Sequence, residues 1–503
     1  MDFAAGRYGA FRMERQGQDD GSEVYNELHA HGRCVHRYRP GPETFQEDIT
    51  QKFPQEEQAI RRFLASVQLA SLGSVIVLAK QFIPKALWGT ILALPGIKHI
   101  VRSYIRRTLA EALTDCGVKD PVLRDIFSAE FGDHGMVPEK APFFLHAGIL
   151  AHYMPEGGFS PVRGSDSFAL ALVPTVLDAG GAVFVRAPVA KVVEENGRVV
   201  GVEMAGGKGV VRAKRSVISA AGVEVTYRRL LDEVTVAKIG GPPQSLLAAE
   251  QKGHGGSSHH MYGFFGFDGS AKDLNLPTYN IWSMLPTVAG TSSLSASWQS
   301  LFGTSPGTKP TFLTDDAAAA EAQLPCFISF PSAKDSAFEA RCPGKSTAVL
   351  ITESRAEYFG DVGPTGKRGE EYNRVKKRYE ELLLKAMYRH FPHLEGKLAY
   401  SDIGTPHSNE HYLGRFASYG LDQDADRFLD PTLRVAVPGL EGLYLTGQDI
   451  ALAGVFPQFI AAWVTFAKVV GVTSLDFWLL FADFAATFGW RSAFDSTYAP
   501  TNK

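Results

Sequence analysis

The stretch that most constrains this chain is Leu443-Tyr444-Leu445-Thr446-Gly447-Gln448-Asp449, followed by Ala453-Gly454-Val455-Phe456-Pro457 and an apolar run from Gln458 to Val472. An apolar run ending in glycine, an acidic residue, a second glycine and a long periodic segment predict a buried strand, a tight loop and a helix. Glycine lets the backbone approach a ligand, and the first turn of the helix points unpaired N–H groups and its positive dipole end outward. Such a junction suits an anionic ligand, although strand-loop-helix junctions also occur as plain structure in α/β proteins.

With 503 residues and 45% apolar content the chain can bury a large core, and its length suggests two or three domains. The net charge of -3, with Lys and Arg scattered, argues against a nucleic-acid partner, which needs a basic stripe. Cys34, Cys116, Cys326 and Cys342 are far apart with no CxxC pair, so they read as free buried thiols rather than a zinc site or a disulfide framework. His259-His260 are adjacent rather than at helical spacing, and no metal site is expected. The N-terminus carries charges where a signal peptide would carry its apolar core. No uninterrupted apolar run of about 18 residues appears, so a membrane-spanning helix is not expected.

Along the chain, short strands are predicted at 22–28 and 33–38, then helices from 43 through 79. Residues 63–97 are strongly apolar, broken by Lys80, Pro84, Lys85 and Pro95. They read either as an interfacial membrane segment, with lysines reaching the head groups, or as a cap over an apolar cavity. Helices follow at 102–113, 121–127 and 141–153, then 167–179. Short strands are predicted at 182–186, 190–194, 199–204 and 209–212, with Asn196-Gly197 and Gly206-Gly207 as tight-turn signals. Ser216 to Ala220 reads as a buried strand ending at Gly222. Strands at 263–267, 326–330 and 347–352 precede a charged, solvated helix at 370–390, and an aromatic apolar segment at 477–488 closes the chain. These features divide it into 1–42, a helical apolar cap at 43–155, a meander and strand at 156–223, a substrate region at 224–400, a strand and helix at 401–472, and a tail at 473–503.

The order of the second half resembles the FAD-dependent carotenoid desaturase, carotenoid isomerase and retinol saturase family. The residues that carry the resemblance are Gly157-Gly158, Gly180-Gly181, the meander with Val189, Val192 and Gly201, Val217 to Gly222, and Leu443 to Asp449. Lys52 to Glu57, His152-Tyr153-Met154, Phe330 to Asp335, Phe391 to Lys397 and His411-Tyr412-Leu413 bring it nearest to the retinol saturase branch. The resemblance implies an α/β flavoprotein fold of the amine oxidase and phytoene desaturase type, with a helical apolar substrate region. It implies FAD as cofactor, with NAD(P)H as a candidate electron donor, an apolar polyene as substrate, and association with an endoplasmic reticulum or plastid membrane surface. By position in the family pattern, Gly447, Gln448 and Asp449 would lie near the FAD diphosphate and ribityl chain. Gly454, Val455 and Pro457 would face the ring, Val189 would lie near the adenosine, and Gly222 is a further cofactor-binding candidate. His407 and Tyr419 are candidate proton donors to the polyene.

Two departures shape the expectations. The family's opening strand, GxGxxG loop and helix have no match here, and Gly6-Arg7-Tyr8-Gly9 has the wrong spacing. The expectation is therefore an incomplete Rossmann-like sheet from a sequence that starts about one βαβ unit late, with the absent strand lying between 216–220 and 443–446. Pro457 and Ala461 stand where the family has glycine, and Ser165 where a second glycine is usual; proline in the first helical turn has no N–H to give the flavin. The leading expectation is retinol saturase-like reduction of a retinoid or carotenoid. Isomerase or desaturase chemistry, an amine-oxidase-like enzyme and a non-catalytic lipid or membrane-surface binder are the alternatives.

Overall fold

The computed structural model describes residues 12–479 apart from 18–20, 22, 31, 252–257, 286–293, 295–296, 298–300, 302–307, 361–367 and 477. The tetrapeptide at 6–9 and most of the segment at 477–488 lie outside the described residues.

Fourteen strands are described: β1 Met13–Arg15, β2 Asn26–Ala30, β3 Arg33–Tyr38, β4 Phe159–Pro161, β5 Val189–Glu195, β6 Arg198–Met204, β7 Val210–Arg212, β8 Val217–Ser219, β9 His259–Asp268, β10 Asn280–Met284, β11 Cys326–Ser329, β12 Lys345–Ser354, β13 Leu398–Gly404 and β14 Leu443–Leu445. Seven form one sheet in the order β13-β9-β12-β11-β10-β2-β3, antiparallel throughout except where β10 runs parallel to β2. Segments of the sequence before 42 and after 224 thus share one sheet. The amphipathic helix Glu370–His390 buries Tyr372, Val375, Tyr379, Leu382, Leu383, Ala386 and Met387 against it at helical spacing and leaves its charged face to water.

The expected meander forms as β5-β6-β7. The strand expected at 182–186 does not: those residues take no regular structure, with Phe184 and Val185 exposed. Apolar alternation there had no partner to pair with, and alternation without a ladder makes no strand. The expected position of an absent strand between 216–220 and 443–446 is also corrected. β8 and β14 are direct parallel neighbours, Leu443 opposite Val217 and Leu445 opposite Ser219. Val217 N–H donates to Gly442 O at 2.8 Å and Thr446 N–H to Ser219 O at 3.0 Å, which leaves no space between them. Among the described residues, no strand pairs with the other edge of β8.

The cap begins with helices Pro42–Lys52 and Glu57–Ala79. The second presents Ile60, Phe63, Leu64, Val67, Ala70, Gly73 and Val77 to the core and is long and apolar enough to cross a membrane by length and composition, with 39% of its most apolar window buried. The helix expected at 102–113 is broken: a wide helical turn ends at Ile105, and a new helix Leu109–Cys116 starts from Thr108, whose side chain and that of Glu111 cap each other's N–H groups. Phe63 stacks near Phe127 and Phe143, with ring centroids 4.5 and 5.7 Å away, which places the aromatic centre of the cap under helix Phe143–Glu156. All four cysteines are free, Cys116 and Cys326 buried as expected, Cys34 and Cys342 exposed because each sits at an edge or turn.

Helices Glu57–Ala79 and Phe143–Glu156 pack tightly at Gly73, where a Cβ would stand 2.7 Å from the Phe144 Cβ. Gly73→Ala is therefore expected to destabilise the protein despite alanine's higher helix propensity. Gly89→Ala, on an exposed helical position with nothing within 4 Å, should stabilise it by up to about 1 kcal/mol. Thermal melts of the two variants check the opposite signs.

Candidate functional site

Three segments distant in sequence meet at Asp449. Its Oδ2 accepts from Val223 N–H at 2.8 Å and its Oδ1 from Leu421 N–H at 2.9 Å. Asp449 is 3% exposed, so its carboxylate ties the turn after β8 to the loop before Leu421. Gly222 (φ 93) and Gly420 (φ 71) admit it: a Cβ at Gly222 would lie 2.1 Å from Arg415 Nη1, and one at Gly420 2.0 Å from Asp449 Oδ1. Arg427, 2% exposed, fills the other side of this knot. Its guanidinium donates to the carbonyls of Leu421 (3.3 Å), Asp449 (3.3 Å), Ala451 (3.0 Å) and Gln448. Burial pulls its pKa down and the nearby Asp449 carboxylate opposes that shift.

The other side of the same loop is open. Gly447 (φ 98) has only Gln458 Oε1, at 3.8 Å, near the position of a Cβ. Gly454 (φ 109) precedes helix Val455–Val470, whose N-terminus has no side-chain cap. Val455 and Phe456 are 54% and 46% exposed, so the first turn of that helix lies at the surface. Pro457 sits in that turn and donates nothing. Val189 opens β5 and is exposed. Gln448 Nε2 donates to Ser418 O at 3.2 Å. A glycine loop with unfilled space beside an uncapped, exposed helix start fits the ring and ribityl side of a flavin. Asp449, by contrast, has both oxygens engaged by backbone amides.

Behind Ser418 lies a cavity of about 110 Å³, with Phe131, Trp282, Met284, Phe327 and Ile351 on its apolar walls and Asp133, His260, Glu353 and Tyr419 among its polar groups. The antiparallel register of β9 and β12 sets His260 opposite Glu353. Their side chains meet at 3.0 Å through Nε2 and Oε1. His260 Nδ1 lies 2.7 Å from Ser418 Oγ, to which Asn409 Nδ2 donates at 3.0 Å and beside which Tyr262 OH lies at 2.9 Å. The neighbouring His259 points to the opposite face of the strand, where its Nδ1 accepts from Ala356 N–H. Of the two candidate proton donors, Tyr419 borders the cavity and donates to Gly132 O at 2.6 Å. His407 does not border it; its ring packs edge-on to Phe359, Tyr372 and Phe416. The structure thus brings Gln448, Ser418 and Tyr419 together with His260 and Glu353, and leaves His407 aside.

A second polar chain runs beneath the cavity. Asn26 Nδ2 donates to Glu130 Oε1 at 2.7 Å, and Asn280 Nδ2 donates to Asn26 Oδ1 at 3.0 Å. Lys334 reaches Asn280 Oδ1 and, at 2.8 Å, Ser329 Oγ. Burial, then the nearby Asp133, pushes the Glu130 carboxyl up to about 8. Burial pushes the carboxyl of Asp133, which borders the cavity, up to about 7 against a hydrogen bond from Tyr153. Burial pulls Lys334 down to about 7.

The sequence reading missed Asp133, Trp282, Glu353 and Arg427 and set His260 aside. Glu353 carried one legible signal, an acid inside β12 two residues after its apolar run Ala348 to Ile351. Glu27, His29 and Cys34 also offer donor atoms within 4.8 Å of one another. Arg37, 2.8 Å from Glu27, already supplies a cation there.

Two outcomes follow from the buried charges. A carboxyl whose folded pKa is raised contributes stability below its unfolded pKa of 4.5 and loses it as pH rises toward about 8. Glu130→Gln keeps the acceptor for Asn26 and should remove about 2–3 kcal/mol of the stability loss between about pH 5 and 7, at 1.36 kcal/mol per unit. Denaturant titrations at the two pH values read it directly. Arg427→Met should cost about 3–5 kcal/mol, as expected for removing one member of a buried charge cluster, in the same titrations at neutral pH.

No protein-family model matches the chain. It is 31% identical over 437 residues to the all-trans-retinol 13,14-reductase of Homo sapiens, covering 84% of this chain and 67% of that protein. It is 24% identical over 425 residues to the chloroplastic prolycopene isomerase of Daucus carota, covering 80% of this chain and 59% of that protein. Among solved structures, a mutant from a redesign of cofactor binding in putrescine oxidase aligns with a TM-score of 0.51 at 13% identity, over 91% of this chain and 82% of its own. The fold is therefore that of this oxidase, and the sequence relationship is the more specific of the two: the chain belongs to the all-trans-retinol 13,14-reductase family.

Proposed function

We propose that this chain is an FAD-dependent oxidoreductase that saturates a double bond of a conjugated polyene, most directly a retinoid such as all-trans-retinol. The observation that carries the reading is the continuity between the two halves of the site. The open glycine loop at Gly447 is joined through Gln448 and Ser418 to His260 at the wall of an aromatic cavity. The family membership supports the same substrate class.

Gly447, Gln448, Gly454, Val455 and Pro457 would hold the ring and ribityl side of FAD, and Val189 and Gly222 the adenosine side. When bound, the flavin supplies the electron or hydride traffic, and NAD(P)H is the proposed source of reducing equivalents. The chain's own residues do the rest. Phe131, Trp282, Met284 and Phe327 exclude water from the apolar substrate. Tyr419 and Asp133 are, beside His260 and Glu353, groups at the cavity that can hold a proton. The Asp133 carboxyl, raised to about 7, carries its proton into the neutral range, where general-acid catalysis is most effective.

Leu69, Leu72, Val75, Phe82, Leu87 and Leu94 are all exposed on the cap, with Lys85 and Lys98 nearby in sequence. We read this as the face that lies on a membrane, from which an apolar substrate enters; an endoplasmic reticulum or plastid membrane is the proposed location.

Titration of the purified chain with FAD, followed by incubation with all-trans-retinol and a chemical reductant, tests the reading. The expected product is two mass units heavier than the substrate (~2 Da, one added H₂) and retains its hydroxyl. A product of unchanged mass would point to isomerisation, and absence of flavin binding would overturn the reading. Gly454→Val should weaken FAD binding at least about tenfold. Leu69→Glu with Val75→Glu and Leu87→Glu should abolish co-sedimentation with phospholipid vesicles while leaving FAD binding intact.

A further inference from the structure

We propose that Glu27, His29 and Cys34, on the hairpin β2–β3, form a zinc-binding site that staples the edge of the seven-stranded sheet. The site lies outside the cavity lining and is independent of the function proposed above.

The strand register brings the three side chains to one face. Side chains alternate along a strand, so Glu27 and His29 share a face of β2. Arg37 stands opposite Glu27 and His36 opposite Leu28, and unbroken pairing would set Val35 opposite His29. The register shifts between Leu28 and His29, and Cys34 takes that place instead. An irregularity of this kind re-aims a side chain, and here it turns a thiol toward an imidazole and a carboxylate. One donor atom from each of the three, a carboxylate oxygen, a ring nitrogen and Sγ, lies within 4.8 Å of the other two. Glu27 Oε2 and His29 Nε2 are 2.6 Å apart. Ligand atoms around zinc stand about 3.3–3.8 Å from one another, so side-chain shifts of about 1 Å complete three corners of a tetrahedron.

Glu27 and His29 are 3% and 9% exposed, whereas Cys34 is exposed, so the site opens to water on the sulfur side. That side admits the metal and leaves the fourth corner to a water molecule. The His29 ring is held edge-on by His390, with centroids 4.9 Å apart, and its Nδ1 is buried with no hydrogen-bond partner among the described residues. The polar capacity of the ring is therefore not used up within the protein. Arg37 Nε donates to Glu27 Oε1 at 2.8 Å and leaves Oε2 to His29. One guanidinium thus faces two potential anions, the carboxylate and the thiolate. A sulfur, a nitrogen and an oxygen suit zinc, whereas magnesium and calcium take mostly oxygen ligands. On coordination the thiol proton leaves to solvent, and the neutral imidazole keeps its single proton on the nitrogen that the metal does not take. The metal then ties β2 to β3, the last strand of the sheet on that side among the described residues.

The test uses the full chain, stripped with a chelator, kept reduced with a phosphine, and titrated with Zn²⁺ and separately with Co²⁺. The expected results are one Zn²⁺ bound per chain, a rise in melting temperature, and with Co²⁺ a thiolate-to-metal charge-transfer absorption in the near ultraviolet. Cys34→Ser should abolish that absorption and the rise in melting temperature and weaken Zn²⁺ binding at least about tenfold, and His29→Gln should weaken binding similarly. Cys342→Ser, which removes the other exposed thiol, should change none of these. A wild type that binds no Zn²⁺ would overturn the site, as would binding undiminished in Cys34→Ser or an absorption lost in Cys342→Ser. Binding at Cys34 with no rise in melting temperature would overturn the staple. Cys34 is exposed, so Cys34→Ser is expected to fold; should His29→Gln not fold, the Cys34→Ser titration decides alone.

Discussion

The backbone hydrogen bonds of two buried charges, the Asp449 carboxylate and the Arg427 guanidinium, are the constraint on which the rest of the site depends. Neither has access to water, so each must satisfy its polar atoms on the protein, and each does so with backbone groups from different parts of the chain. Asp449 takes the amides of Val223 and Leu421, and Arg427 takes carbonyls on both sides of Asp449. The consequence is geometric. The loop from Gly447 to Ala451 can take only the path that these bonds allow, and that path presents Gly447 and the start of helix Val455–Val470 to open space. Glycine at 222 and 420 is required for the same reason, since any side chain there would occupy the position of the charged groups.

The knot also reaches the cap. Lys80 is 2% exposed and approaches Arg427 O, Arg434 donates to the carbonyls of Lys80 and Ile83, and Trp88 Nε1 donates to Leu429 O at 3.0 Å. The end of the long apolar helix is thus tied to the segment that carries Arg427, and the face of the cap that remains exposed is fixed relative to the Gly447 loop. Burial lowers the Lys80 pKa to about 7, a cost offset by the Asp430 carboxylate and by the order this junction confers. Between cap and loop sits the cavity, its polar side built by the register of two strands and its apolar side by aromatic residues of the cap and sheet.

Much of this was legible in the sequence where the signal is local. Helix Glu370–His390 follows from its apolar stripe, the meander from Asn196-Gly197 and alternating valines, and the junction at Leu443 to Pro457 from its glycines. Local signals failed where a partner is distant. The apolar alternation at 182–186 reads as a strand but has no ladder to join, and the direct pairing of β8 with β14 depends on a match 226 residues apart, Leu443 with Val217. His260 and Glu353 are separated by 93 residues and become a pair only through the β9–β12 register. Arg427 carries no local signal in its acidic stretch, because its burial is decided by loops that converge from elsewhere. A sequence exposes periodicity and turn chemistry, whereas a buried charge held by distant backbone groups appears only after the segments are assembled.

The central claim is that electrons pass between a flavin at the Gly447 loop and a polyene in the cavity behind Ser418. Anaerobic rapid mixing of the flavin-loaded, chemically reduced protein with all-trans-retinol tests it most directly. The account predicts that oxidised-flavin absorbance returns in step with loss of the extended polyene band, one flavin for each double bond saturated. A flavin that remains reduced while the polyene band persists would contradict it.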